Sequence, residues 1–442
     1  MVMHLAPLRV TTGQVVAAAA RSSSRTAAGV TASSPSNDLS LVPSPRRSGV
    51  QASFKKGTGG RSSFSGVVAT VFGSGGFLGR YVINRLGKQG TQIIIPYRGE
   101  PYDVRNLKLA GDLGQVLFFP FNLKDEVSLR KVMKYSNVVI NLIGTDYETK
   151  NFTFEETNIE GARRIARIAK EMGVEKLVHV SALNASTQPT ENLIPGGSRF
   201  LKSKGFGEIA VREEFPDAVI IRPSVLFGFE DRFITVYMNQ LRRYMINKMD
   251  LYRRGDYTFK MPVYCGDVAA GIVYAVFDPS TDGRTYEAVG PYCYNLGELV
   301  DYMYEFCNRG KDQAYMRLAL GPMTTLKTNL MELWIRLWRT RQNHYSWELM
   351  DFVEGNSDIL TGCPTLEDLN VSPLIPFENR APEILRLYDR LAFYEDEHGE
   401  LVRPPPPRHH PVLRKQAVSA SASEYESTHR RYEMPKENVA FA

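Results

Sequence analysis

Between about residues 66 and 300 the chain alternates short β-branched runs with stretches whose apolar residues recur at helical spacing. Val67 to Phe72 reads as a strand, and Leu78, Val82 and Leu86, with Ile83 beside them, read as a helix. Gln92 to Tyr97 contains Ile93, Ile94 and Ile95, the continuous apolar run of a strand buried on both faces. Val116 to Pro120 is a third strand, Asp125 to Lys134 a short helix, and Asn137 to Ile143 a fourth strand. Residues 155–172 carry Ile159, Ala162, Ala166 and Ala169 on one helical face, with Ile165 flanking, and Leu177 to Val180 is a fifth strand. A helix over 199–213 and a sixth strand from Ala218 to Ile221 continue the alternation. Next come a helix near 232–246, a short strand from Lys260 to Val263, a helix opening near Asp267 and a strand from Thr285 to Val289. Asn295 and Glu298 resemble a capping box ahead of Leu299, Met303 and Phe306. The expected fold is α/β, a Rossmann-type doubly wound parallel sheet with a smaller α-rich C-terminal part.

Beyond this region the pattern changes. Leu326, Leu330, Leu333, Trp334, Leu337 and Trp338 form one apolar face within 316–341, followed by Arg336, Arg339 and Arg341. Such a helix lies on a membrane surface, packs on a partner or covers its own core. A last helix is expected over 382–394, and the Pro404–Pro407 stretch opens a tail that is disordered or draped over another surface. The expected divisions are a leader over 1–60, a nucleotide domain over 61–280, a smaller region over 281–400 and a tail over 401–442.

Composition changes the picture mainly at the N-terminus. The chain has 442 residues, 43% hydrophobic, with net charge +6. Residues 1–60 carry all of that excess, and the remainder holds 47 bases against 47 acids. A global nucleic-acid footprint is therefore not supported. The Ser-, Ala- and Arg-rich, nearly acid-free leader has the composition of a mitochondrial transit peptide, with a disordered cytosolic extension as the alternative. No run of 18 or more apolar residues is present, so a membrane span is not expected. Cys265, Cys293, Cys307 and Cys363 lack metal-site spacing, and the seven histidines are dispersed. No metal site is expected.

The chemistry begins at Gly73-Ser74-Gly75-Gly76-Phe77-Leu78-Gly79, between the first strand and the first helix. Gly73, Gly76 and Gly79 fit G-x-x-G-x-x-G, which lets a dinucleotide pyrophosphate approach unpaired N–H groups at the helix start. Arg98 ends the second strand, about 20 residues on, where an acid would bind the ribose 2′-OH. An arginine there favours a 2′-phosphate, hence NADP(H); a surface arginine in a turn is the alternative. Asn122 is a candidate adenine contact, and Leu142, Ile143 and Gly144 end the fourth strand where backbone approaches a cofactor.

With Asn158-x-x-Gly161, Ser181, the 200–204 helix and Arg222-Pro223-Ser224, these motifs resemble the extended and atypical short-chain dehydrogenase/reductase family over about 66–300. Phe77-Leu-Gly-Arg-Tyr, Ile94-Ile-Pro-Tyr-Arg98 and Phe227-Gly-Phe-Glu-Asp-Arg232-Phe are similar to its branch of nucleotide-binding accessory subunits of mitochondrial complex I. The resemblance implies cofactor contacts from Ser181, Lys204, Pro223, Ser224 and Val225. Active members use a Tyr-x-x-x-Lys pair, with the phenol as general acid/base and Ser orienting the carbonyl. Here Ser181 and Lys204 match, but the tyrosine position is Phe200, which cannot exchange a proton. Tyr147 is a substitute donor that nothing in the sequence argues for. The implied role is a non-catalytic, NADPH-holding subunit on the matrix side of the inner membrane. Its partners would be other complex I subunits where the two arms meet, with lipid headgroups a further contact of the 316–341 helix. An active mitochondrial reductase or epimerase, or a soluble NADP(H) sensor, are the alternatives.

Overall fold

The computed structural model describes residues 55–239, 243–244, 248–309, 315–337, 346–391 and 403–414. The leader through residue 54 and the tail from 415 lie outside the described residues, as do 338–345 and 392–402.

Strands β1 (Val68–Phe72), β2 (Gln92–Tyr97) and β3 (Val116–Pro120) alternate with helices α1 (Phe77–Lys88) and α2 (Glu126–Met133). There follow β4 (Val138–Asn141), α3 (Gly161–Glu171), β5 (Lys176–Val180), α4 (Arg199–Glu214) and β6 (Val219–Pro223). Next come β7 (Leu226–Phe227), α5 (Phe233–Met238), β8 (Arg243–Tyr244), β9 (Lys248–Leu251), β10 (Phe259–Lys260) and β11 (Val263–Tyr264). The chain continues through α6 (Cys265–Phe277), β12 (Thr285–Ala288), β13 (Tyr294–Asn295), α7 (Leu296–Phe306), β14 (Met316–Ala319) and α8 (Pro322–Leu337). It ends with α9 (Trp347–Met350) and α10 (Phe377–Leu385).

Seven strands form one parallel sheet in the order β12-β6-β5-β4-β1-β2-β3. The expected doubly wound sheet is therefore observed. Strand order reverses between β1 and β4, the switch point outside which ligands of such sheets bind. One sheet face packs Val82, Ile83 and Leu86 of α1 with Val268 and Ile272 of α6; the other packs Leu129 of α2 with Ile165 and Ile168 of α3. A second apolar core joins Phe227, Phe233 and Tyr237 to Leu251, Tyr294, Leu299, Met303 and Phe377. The two cores do not follow chain order, since β12 belongs to the sheet while β7 to β11 precede it.

Several elements differ from expectation. The helix near 232–246 is only α5, six residues, because Asp231 starts it and an extended Asn239 stops it. The 155–172 helix opens with a π-turn at Glu155–Glu160. Residues 316–341 begin as β14, paired with β9, and only then become α8. The last helix lies earlier than 382–394, at α10, with a 3₁₀ turn to Tyr388. Asn295 caps α7 at the N–H groups of Gly297 and Glu298, but the box does not close, since Glu298 pairs with His410 at 3.1 Å. The Pro-rich segment 403–414 is draped on the fold: His410 N donates to Cys293 O and Leu360 N to Leu413 O.

Candidate functional site: a dinucleotide crevice at the strand reversal

The glycine loop forms where β1 turns into α1. Gly73 has φ +78°, and a Cβ there would meet the Leu142 carbonyl carbon at 2.9 Å. A Cβ at Gly79 would lie 2.6 Å from Ser74 O, so only glycine lets the helix close on the turn. Helix α1 starts from Gly76 with no side-chain cap and no acid in its first turn. Its first N–H groups and positive dipole end are left for an anion. Gly75 and Gly76 are exposed, Phe77 is half-buried, and Ser74 and Leu78 are buried. The loop therefore presents backbone rather than side chains.

Arg98, exposed at the end of β2, lies over the Phe152 ring with Cζ 5.1 Å from its centroid. No carboxylate pairs with it among the described residues. Lys124 lies 4.9 Å from the same ring and pairs with Glu156 at 2.8 Å. Two cations thus lie against the Phe152 ring near the end of β2. Asn122 is exposed, but its carboxamide oxygen accepts from Lys124 N at 3.1 Å and shapes the turn into α2.

At the other end, Leu142 and Ile143 continue β4, and Leu142 N bonds to Phe72 O at 3.0 Å. Gly144 faces Lys204, whose Nζ would lie 2.5 Å from any Cβ at that position. Lys204 is buried on α4 and donates to Val180 O at 3.2 Å. Burial pushes its ammonium down to about 8, opposed by Glu208 and Asp146. Ser181 directly follows Val180, and its Oγ is buried without a hydrogen-bond partner among the described residues. Nearby His179 receives Asn141 Nδ2 at Nδ1, its Nε2 has no partner, and burial drives its pKa to about 3. Asn158 cross-links Thr145 to Ser203 through hydrogen bonds of 2.9–3.2 Å, holding the β4 end against α4.

Pro223, Ser224 and Val225 leave β6 beside this end. All three are buried, and the Ser224 hydroxyl donates to Asp358. Asp358 also pairs with Lys260 at 3.0 Å in an ion pair buried to 0% exposure on both sides. Sequence reasoning missed this network, because Lys260 and Asp358 lie 98 residues apart with no motif joining them.

Phe200, one helical turn before Lys204, is 8% exposed and meets the Phe352 ring edge-on at 5.7 Å. Phe154, Ala182 and Leu201 complete that apolar cluster. Glu348 accepts from Ser198 Oγ, Arg199 N and Phe200 N at 2.7–3.3 Å, capping α4 from the C-terminal region. A cleft of about 340 Å³ opens alongside, lined by Tyr147, Phe154, Ile194, Trp347 and Glu348 among others. Among the described residues no cluster of potential ligands can hold a metal ion.

The geometry suits a dinucleotide: a backbone cradle for pyrophosphate, Arg98 with no carboxylate partner among the described residues at one end, and Lys204 beside the buried Ser181 hydroxyl at the other. The comparisons agree with the fold. The NAD dependent epimerase/dehydratase family matches residues 69–289. The dTDP-glucose 4,6-dehydratase DesIV of Streptomyces venezuelae, solved with NAD and TYD bound, superposes with a TM-score of 0.51 at 15% identity, over 74% of this chain and 99% of that one. The Mus musculus protein NADH dehydrogenase (ubiquinone) 1 alpha subcomplex subunit 9, mitochondrial, is 43% identical over 78% of this chain and 86% of its own length. Its Arabidopsis thaliana namesake is 45% identical over 57% of this chain and 60% of its own. The chain therefore belongs to the NAD dependent epimerase/dehydratase family and, within that fold, to the family of the alpha subcomplex subunit 9 of mitochondrial NADH dehydrogenase (ubiquinone).

Proposed function

We propose that this protein is an accessory subunit of mitochondrial respiratory complex I that holds NADPH as a structural ligand and does not turn over a substrate. The observation that carries this reading is Phe200. The chain keeps a glycine cradle, Ser181 and Lys204, but puts a phenyl ring where a proton donor is needed and packs it against Phe352. Loss of a positioned acid/base removes about 10²–10⁴ in rate.

In this reading the α1 N-terminus and the 73–79 backbone receive the pyrophosphate, and Arg98 pairs with the 2′-phosphate. Ser181 and Lys204 hold the nicotinamide ribose, while Leu142–Gly144 and Pro223–Val225 line the nicotinamide end. The bound nucleotide would supply hydride chemistry in an active relative; here it stabilises the folded state by mass action. The subunit acts from the matrix side, after import directed by its N-terminal leader, near the junction of the peripheral and membrane arms. No helix among the described residues is long and apolar enough to cross a membrane. Attachment instead uses the outward face of α8, where Leu326, Leu330, Leu333 and Trp334 are each more than half exposed. Neighbouring subunits and lipid headgroups are its contacts.

Two measurements test this. Endogenous protein should migrate on native gels with a megadalton-scale assembly, and the isolated chain should retain NADPH without oxidising it in the presence of carbonyl or sugar-nucleotide substrates. Migration as a small free species, or steady NADPH oxidation abolished by Lys204→Ala, overturns the reading. Tyr147 lines the cleft beside Phe200, and that observation favours an active reductase as the second reading. Turnover lost in Tyr147→Phe would establish it.

A further inference from the structure

The Phe227–Arg232 stretch has a role that the cofactor cradle does not absorb. After β7 the chain runs back over the start of α1. A Cβ at Gly228 would come 3.0 Å from Phe77 Cζ and 3.1 Å from the Tyr81 hydroxyl, so the loop backbone rests on the first turns of that helix. Phe229 N donates to the Tyr81 hydroxyl at 3.2 Å, and Glu230 forms an ion pair with Arg80. Two residues on, Arg232 forms an ion pair at 2.6 Å with Asp146, beyond the C-terminal end of β4. The loop therefore bridges the α1 start and the β4 end, the two walls between which the pyrophosphate would lie.

The loop is also compact in itself. Asp231 is 2% exposed, and its carboxylate accepts from Gly228 N at 3.4 Å and Ile234 N at 3.3 Å, folding the segment into one compact turn. Glu230 adopts φ +63°, a left-handed conformation costing about 1–2 kcal/mol for a residue with a Cβ. That conformation carries the Glu230 carboxylate to Arg80. Its outer fastenings, by contrast, are one hydrogen bond to Tyr81 and two partly solvated ion pairs, individually weak, the pairs being screened by salt. A rigid segment held across an opening by weak fastenings is the design of a gate.

We propose that residues 228–232 are a clasp that closes over the nucleotide crevice and sets the rate at which NADP(H) enters and leaves. This rests on the nucleotide reading above, and it explains how a ligand kept for structure would be retained rather than exchanged. A gate differs from a ligand contact in its kinetic signature: opening it speeds entry and exit together and leaves the affinity nearly unchanged.

The test is stopped-flow NADPH fluorescence on the full chain, comparing the wild type with Glu230→Gln/Arg232→Gln. Association and dissociation rate constants should both rise about fivefold, with Kd changed less than about twofold. Arg80→Ala, which removes one surface fastening only, should accelerate both by a smaller factor. Wild-type dissociation should quicken with added salt more than that of the double variant. Unchanged dissociation in the double variant overturns the clasp, and so does faster dissociation with unchanged association, which would make these residues ligand contacts. A folded wild-type chain that binds no NADPH overturns the nucleotide reading and the clasp with it.

Discussion

Arg98 and Asp231 show how differently a charge behaves at the rim of a site and inside it. Arg98 is exposed, rests on an aromatic face and has no carboxylate to satisfy it among the described residues. Its pairing with a 2′-phosphate would be a charge-assisted hydrogen bond. Arg98→Ala should therefore weaken NADPH binding about tenfold and NADH binding less than about twofold, as read by fluorescence titration of both. Equal losses for the two nucleotides would remove the specificity assigned to this residue. Asp231 is buried, and desolvation raises its carboxyl from 3.8 to about 7. Between those values the folded state holds a proton that the unfolded state has released, so stability falls as pH rises through that window and is level below it. Asp231→Asn removes the titration, and its urea midpoint should change less between pH 5 and pH 7.5 than that of the wild type. Near neutral pH the variant should gain on the order of a few kcal/mol relative to the wild type. Identical pH slopes would show that another group controls this window.

Helix α8 inverts the usual order of a surface helix. Thr324 and Thr328 are buried, Thr324 Oγ1 bonding to Asp250 and Thr328 Oγ1 to Thr324 O at 2.8 Å. Leu330 and Trp334 are 57% and 51% exposed on the outside. Apolar periodicity in the sequence located the helix but not the direction of its face, since an apolar stripe reads the same whether it meets a core or a partner. The direction was decided by β9, which supplies Asp250 as a hydrogen-bond partner for Thr324. Leu330→Ser/Trp334→Ser should therefore lower the melting temperature of the isolated chain by no more than about 5 °C, because each side chain is more than half exposed. The same variant should be depleted from the megadalton assembly on native gels. A large drop in melting temperature would mean that this face covers the protein's own core.

At the scale of the whole molecule, local rules carried the nucleotide half and failed elsewhere. The sheet strands from β1 to β6 are mainly apolar runs rich in β-branched or aromatic residues and bounded by turns, and the parallel arrangement follows from their alternation with helices. The glycine loop was legible because its requirement is local: a positive φ at Gly73 and no Cβ at Gly79 within one turn of chain. Phe200 was legible because it stands at fixed helical spacing from Lys204. The C-terminal supports were not. Glu348 caps a helix that starts about 150 residues earlier, and Asp358 ties Lys260 to Ser224 in the interior. The clasp from Glu230 to Arg80 and from Arg232 to Asp146 likewise joins segments remote in sequence. Pairs of this kind carry no periodicity. By itself, then, the sequence determined the βα alternation, the glycine turn between β1 and α1 and the absence of a phenol before Lys204, because each depends on neighbours within a few residues. The tertiary structure alone decided what packs against Phe200, which way α8 faces and what lies across the crevice, because those depend on which distant segments meet when the chain buries its apolar surface.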